Sequence, residues 1–256
     1  MAAEISLAAE PIMTLGTWGV PNSVVTTWIV VIIIVFGALL LRKKRLQAVP
    51  KGMQNVVEAV CEFLDTNIQN IAGSKKNARL FFPLVGSLFI FIILLNWFGL
   101  LPGVGSIGFY EIHEGREVFV PLLRAGTSDL NTTLALAIVA VIATHIFGMK
   151  HLGPGKHLGK FFINPFKRGP IMMGVGFLEL FGEVSKIISF SFRLFGNIFA
   201  GEVLLIVMTG LVSFLAPVPF YFLEIFVGFI QALVFATLTL ILLTMATAEH
   251  EEHEKV

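Results

Sequence analysis

Residues 80–101 read LFFPLVGSLFIFIILLNWFGLL and contain no charged side chain. A helix needs about 20 residues, at about 1.5 Å each, to cross the roughly 30 Å hydrocarbon core of a bilayer. This stretch has that length, and Ser87 and Asn96 are its only hydroxyl and amide side chains. A soluble domain would have to bury it on every side, and several other stretches of the chain are comparably apolar. Of 256 residues, 56% are apolar, 14% are charged and 25 are Phe, against about 25% charged in an ordinary soluble domain. The sequence describes a chain folded in lipid, with no room for a soluble catalytic domain.

Apolar runs of similar length lie on both sides of this one. Toward the N-terminus, a span at about 24–41 ends at Arg42, Lys43, Lys44 and Arg45. Between the two, at about 53–71, Met53, Val56, Val57, Val60, Leu64, Ile68 and Ile71 recur at helical spacing, with Glu58, Glu62 and Asp65 on another face. That pattern predicts an amphipathic helix lying at the membrane interface or packed on a partner's soluble part. Toward the C-terminus, a polar loop precedes a span at about 130–149, and Thr127-Ser128-Asp129 supplies acceptors for that helix's free N–H groups. The final apolar stretch divides near Pro217 and Pro219 into about 171–215 and 220–248. A continuous helix over 171–215 would measure about 68 Å, so it must be strongly tilted or broken. The expected fold is an all-α integral membrane protein, a single membrane domain over 1–256. It has five membrane-crossing helices plus an interfacial amphipathic helix, the last two crossing helices long.

Basic residues orient the spans. Lys51, Lys75, Lys76 and Arg79 join the cluster at 42–45, and Lys150, Lys156, Lys160, Lys167 and Arg168 fill the loop at 150–170. The loop at 102–129 has Arg116 and Arg124 against more acids. By the positive-inside rule the two basic segments are cytoplasmic, and the N-terminus and the loop at 102–129 are outside. Five crossings leave the C-terminus inside. The single Cys61 allows no intramolecular disulfide. No metal site is encoded, and the tail Glu249-His250-Glu251-Glu252-His253-Glu254 reads as solvated.

A charge at the bilayer centre costs about 3 kcal/mol or more. Lys186, Arg193, Glu179, Glu183, Glu202 and Glu224 fall inside apolar runs and are functional candidates on that ground. At about 100° per residue, Glu179, Lys186, Arg193 and Asn197 share a sector of about 40°, with Glu183 beside it. This polar stripe allows two readings: a functional face, or Glu179, Glu183 and Lys186 pairing with one another. Arg193 is spaced to serve either as a functional charge or as a clamp on Glu202 or Glu224. Glu202 points about 140° away from Asn197. Glu224 and Gln231 lie two turns apart on one face of the last helix. His145 and Asn96 read as packing or hydrogen-bonding residues.

Residues 191–202, SFRLFGNIFAGE, resemble the signature of subunit a of F-type ATP synthases. Asp129-Leu130-Asn131, Gln231 and residues 244–250, TMATAEH, resemble other parts of that family, so the likeness covers nearly the whole chain. Some members carry histidine where Glu224 stands. The resemblance implies an ion-translocating stator subunit with no catalytic or nucleotide-binding site of its own and no cofactor. Two offset half-channels would pass H⁺, or Na⁺, to and from the carboxylates of a rotating c-subunit ring, against which the last two helices lie tilted. Implied site residues are Arg193, Asn197, Glu202, Glu224, Gln231 and Asp129. Implied partners are the c ring, the b subunits of the peripheral stalk, the other ATP synthase subunits and the lipid bilayer, with no nucleic acid. The implied location is the bacterial inner (plasma) membrane. A secondary transporter would predict inverted repeats, and an intramembrane protease a nucleophile–base or metal pair; neither pattern is visible.

Overall fold

The computed structural model describes residues 10–15, 18–43, 47, 49–105, 107–113, 116–155, 170–212 and 217–248. The basic residues Lys44, Arg45, Lys156, Lys160, Lys167 and Arg168 and the tail from Glu249, expected to be solvated, lie outside these residues. The elements in order are β1 (Pro11–Leu15), β2 (Trp18–Pro21), α1 (Asn22–Lys43), α2 (Met53–Ala72), α3 (Lys75–Gly99), β3 (Gly108–His113), β4 (Arg116–Pro121), a 3₁₀ turn (Gly126–Ser128), α4 (Leu130–Leu152), α5 (Pro170–Leu211) and α6 (Pro217–Thr247). The chain is predominantly helical. Among the described residues five helices are long and apolar enough to cross a membrane: Asn22–Arg42, Lys75–Gly99, Leu130–Leu152, Gly176–Leu211 and Pro217–Thr247.

Local chemistry sets the boundaries. Gly73 takes a left-handed conformation with φ 67°, and its N–H donates to the Gln69 carbonyl, closing α2. Ser74 follows at once, its hydroxyl accepting from the Asn77 N–H to open α3. The last apolar run divides near Pro217, as the prolines suggested: one helix ends at Leu211 and the next begins at Pro217, with Pro217 and Pro219 in the first turn of α6, where a missing N–H removes no helical bond. Of the two options for the long apolar run, α5 is one continuous helix. Its 42 residues extend about 63 Å, and neither Gly182 nor Gly196 breaks it.

Helix α3 packs chiefly on α6, and α4 lies against both α5 and α6. Their shared core joins Phe81, Phe89 and Ile92 of α3 to Leu194 and Ile198 of α5 and Phe235 and Leu240 of α6. Ala137, Ala140, Ala232 and Ala236 are also buried there, and such small residues let helices approach closely within a membrane. Helix α1 is peripheral. Trp28, Ile32 and Phe36 on its outer side are exposed, as suits lipid contact. Amphipathic α2 buries Leu64, Ile68 and Ala72 and leaves Glu58 and Glu62 exposed, while Met53 and Val56 at its start are uncovered.

Two antiparallel hairpins, β1–β2 and β3–β4, were not apparent in the sequence. The loop at 102–129 looked polar because of its acids. Within it β3 and β4 pair from Gly108 opposite Pro121 to His113 opposite Arg116, and the Tyr110 and Phe119 rings meet at 5.4 Å. This hairpin delivers the chain to the functional site.

Candidate functional site

The strand β4 ends at Pro121, whose carbonyl accepts from Asn22 Nδ2 at the head of α1, at 3.1 Å. The next residues thread between α1, α3 and α5. The backbone N–H of Arg124 donates to Thr26 Oγ1 at 3.3 Å. Neighbouring backbones are close: a Cβ at Gly99 would fall 2.5 Å from Ala125 Cβ, and one at Gly126 would meet Leu95 and Thr27 at 2.8 Å. Thr127 donates to Asn96 Oδ1 at 2.6 Å, and Asn96 Nδ2 donates to the Gly228 carbonyl at 2.9 Å. Asn96 is therefore the hydrogen-bonding residue its place in an apolar helix suggested, joining α3 to α6 and to the 3₁₀ turn.

Asp129 caps α4, as the Thr-Ser-Asp pattern predicted. Its Oδ1 accepts from the Asn131 N–H at 2.9 Å, and its Oδ2 accepts from Ser23 Oγ at 2.6 Å.

Beside this polar seam lies a cavity of about 540 Å³, room for more than ten waters at about 30 Å³ each. Glu10, Asn22, Asn96, Arg124, Glu202, Tyr221 and Glu224 are among the residues lining it. The cavity brings Glu202 and Glu224 together. Arg124 Nε lies 3.1 Å from Glu202 Oε1 and 3.2 Å from Oε2, and the guanidinium sits 5.8 Å from the Phe199 ring centroid. The Arg124 side chain is 8% exposed, so its charge requires a nearby counter-charge, which Glu202 provides. Glu224 is 6% exposed. Its carboxylate lies so close to α5 that a methyl group at Gly201 would overlap it.

Arg124 was not among the candidates read from the sequence. The sequence puts it in the outer loop, where a charge needs no explanation; the structure buries it against α5. Its place five residues before the Asp129 cap was a signal only in retrospect.

The remaining candidates lie elsewhere. Arg193 and Asn197 are exposed on α5, beside the exposed apolar side chains of Val184, Ile188 and Phe192. Arg193 Nη2 approaches Ser189 Oγ at 3.4 Å, and the salt bridge of Glu202 goes to Arg124, not Arg193. Arg193 and Gln231 meet at a cleft of about 10 Å³, at the lower limit for one water. Toward the other end of α5, Glu183 accepts from Lys186 at 2.6 Å and lies 3.5 Å from His145 Nε2 on α4. Pairing within the stripe is thus real for Glu183 and Lys186, with His145 as a third member, while Glu179 is exposed.

These features define a multi-pass helical membrane protein with charged side chains gathered on and behind one long helix. A profile of the ATP synthase A chain family matches residues 24–244. ATP synthase subunit a of Gloeobacter violaceus is 35% identical over 232 residues, covering 91% of this chain and 86% of that protein. The Citrifermentans bemidjiense protein of the same name is 36% identical over 226 residues, 86% of this chain and 85% of its own. Campylobacter jejuni ATP synthase subunit a is 34% identical over 215 residues, covering 84% and 85%. The chain belongs to the ATP synthase A chain family.

Proposed function

We propose that this chain is the ion-translocating stator subunit of an F-type ATP synthase, and that ions reach a ring of c subunits through it. The observation that carries the reading is the pairing of two opposite features on α5. One side presents Arg193 and Asn197, exposed among apolar side chains. The other side borders the cavity that holds Glu202 and Glu224. An arginine exposed on a membrane helix needs a counter-charge from outside the chain. A carboxylate on a rotating c ring is the occupant that family membership points to.

Arginine keeps its proton, so Arg193 cannot relay one. It attracts a ring carboxylate that has lost its ion and repels a cation crossing directly from one half-channel to the other. Such a crossing would dissipate about 2.3 kcal/mol per charge per 100 mV. Asn197, one turn away, steadies the guanidinium, and Gln231 borders it across the small cleft. The cavity is the outer half-channel, with Glu202 and Glu224 in its wall and Asp129 in the frame that holds its mouth. Glu179, Glu183 and Lys186, with His145, mark the inner side. The chain contributes no catalytic residue, and ATP chemistry belongs to other subunits. The ion is H⁺, with Na⁺ as the alternative that the ring's own site decides. The N-terminus and the hairpin β3–β4 face outside the bacterial inner membrane and the C-terminus faces the cytoplasm. The peripheral stalk b subunits and the c ring are the direct partners.

The test is ATP-driven pumping by the purified complex in vesicles, with H⁺ and Na⁺ gradients read separately. A gradient is expected with the parent chain and none with Arg193→Ala at equal complex content. A near-parental gradient from the alanine variant would sink the central-arginine mechanism.

A further inference from the structure

We infer that Arg124 is a positioning residue for ion transfer: it holds Glu202 as a fixed, charge-balanced partner in the cavity wall and leaves Glu224 as the carboxylate that exchanges ions with the cavity. The inference rests on the reading of this cavity as an ion path.

Two carboxylates reach the same space from different helices, and the structure treats them unequally. Glu202 receives Arg124 Nε at 3.1 and 3.2 Å on its two oxygens. An N–H shared between both oxygens suits a carboxylate acting as acceptor only. Glu224 is more than nine-tenths buried, lies against Gly201 and borders the cavity. Among the described residues it makes no hydrogen bond or ion pair. The other charged or titratable groups lining the cavity are Glu10 from the N-terminal segment and Tyr221 from α6.

Arg124 is also fixed in place from behind. Thr26 Oγ1 holds its backbone N–H, and the residues after it are pressed against Gly99, Leu95 and Thr27. Its guanidinium is thus a built charge and not a loop side chain resting on the surface. Arginine neither gives up its proton nor leaves this position, so it can only bias which neighbour is available. With Glu202 engaged, the helices present an arriving cation with one open carboxylate instead of two competing ones. The inequality comes from a residue outside the helix that carries both Arg193 and Glu202.

The test uses the assembled complex in membrane vesicles, in a cysteine-free background with Glu224→Cys as reporter. Its reaction rates with a cationic and an anionic methanethiosulfonate are compared. Arg124→Gln uncovers the Glu202 charge and is expected to raise the cation-to-anion rate ratio about tenfold, as one unbalanced charge at short range would. Glu202→Gln is expected to lower the ratio by a similar factor, and the double variant to return within about threefold of the parent. An unchanged ratio in both single variants would overturn the fixed pair.

With Glu224 restored, Arg124→Gln is expected to cut ATP-driven pumping at least about tenfold at normal complex content, with Arg124→Lys recovering part of it because it returns the charge without the fork. Arg124→Gln/Glu202→Gln is expected to pump no worse than Arg124→Gln alone. Losses that add in log rate would mean that Arg124 acts by a route other than Glu202, and near-parental pumping by Arg124→Gln would refute the role. Full pumping by Glu224→Gln refutes the ion-path reading of the cavity, a failure separate from that of the pair, which the labelling ratios report by themselves.

Discussion

Arg193 and Arg124 approach α5 in opposite ways. Arg193 grows from the helix itself and stands exposed among apolar side chains, with Ser189 Oγ 3.4 Å away. Arg124 comes from a loop, is buried, and meets both oxygens of Glu202. The same guanidinium is in one place a charge awaiting a counter-charge from outside the chain, and in the other a charge already balanced. Only an unbalanced charge exerts a strong field on an approaching ion or carboxylate. The contrast therefore separates a residue suited to acting on a moving partner from one suited to holding its own surroundings still.

That comparison breaks first at Arg193. A carboxylate brought into hydrocarbon without its counter-charge is disfavoured by about 3 kcal/mol, and about 1.4 kcal/mol is tenfold in rate. Arg193→Ala should lower coupled ATP synthesis and pumping about a hundredfold with assembly preserved, and passive ion leak through the complex should persist or rise. Vesicle pumping and leak measured on the same preparation decide it. A stable complex with normal coupling would show that Arg193 does not act on a moving partner.

The cavity side is sharpened by a change that alters no charge. A methyl group at Gly201 would overlap the Glu224 carboxylate, so Gly201→Ala must push that side chain away from α5. We expect pumping to fall about tenfold, because misplacing a transferring group by about 1 Å costs up to a hundredfold. Gly174→Ala is the control on the same helix, away from the cavity; nothing lies within 4 Å of its Cβ position, and pumping should stay within about twofold of the parent. Equal rates in the two variants would show that the position of Glu224 does not matter.

A third change tests the seam behind Arg124. Asn96→Ala leaves the Gly228 carbonyl and the Thr127 hydroxyl without the partners they have now. The expected loss is about 1–2 kcal/mol of stability, seen as earlier thermal dissociation of the purified complex. Pumping at low temperature should fall less than in Gly201→Ala. A full loss of transport with unchanged stability would make Asn96 part of the ion path.

The two arginines also differ in how visible they are in the sequence. Arg193 interrupts an apolar run, and hydropathy alone exposes it. The five crossing helices, the amphipathic α2 and the cap at Asp129 are visible for a similar reason: each rests on periodicity or on local hydrogen-bonding chemistry. Arg124 sits in a loop after Pro121-Leu122-Leu123, and its burial depends on contacts with Thr26 and Glu202, 98 and 78 residues away. No local pattern reports such contacts. The β3–β4 hairpin was hidden because its acidic side chains mask the strand pattern. Continuity of α5 across Gly182 and Gly196 was undecided because glycine permits a bend without requiring one.

The smallest expected effect lies at Asp129, where the family likeness and the geometry pull apart. The likeness places this carboxylate among the ion-path residues. In the structure both of its oxygens are occupied: Oδ1 accepts from the Asn131 N–H and Oδ2 from Ser23 Oγ. A buried carboxylate engaged in this way caps a helix and ties α4 to α1, work that does not require it to exchange a proton. Asparagine keeps the cap, since Oδ1 still accepts from the Asn131 N–H, and its amide can donate to Ser23 Oγ, which is able to accept. Asp129→Asn should therefore cost no more than about 1 kcal/mol of stability and leave pumping within about threefold of the parent. Asp129→Ala loses both bonds and should cost about 1–3 kcal/mol. If asparagine stops transport while the complex stays intact, the negative charge itself is used, and Asp129 belongs in the wall of the ion path beside Glu224 and not in its frame.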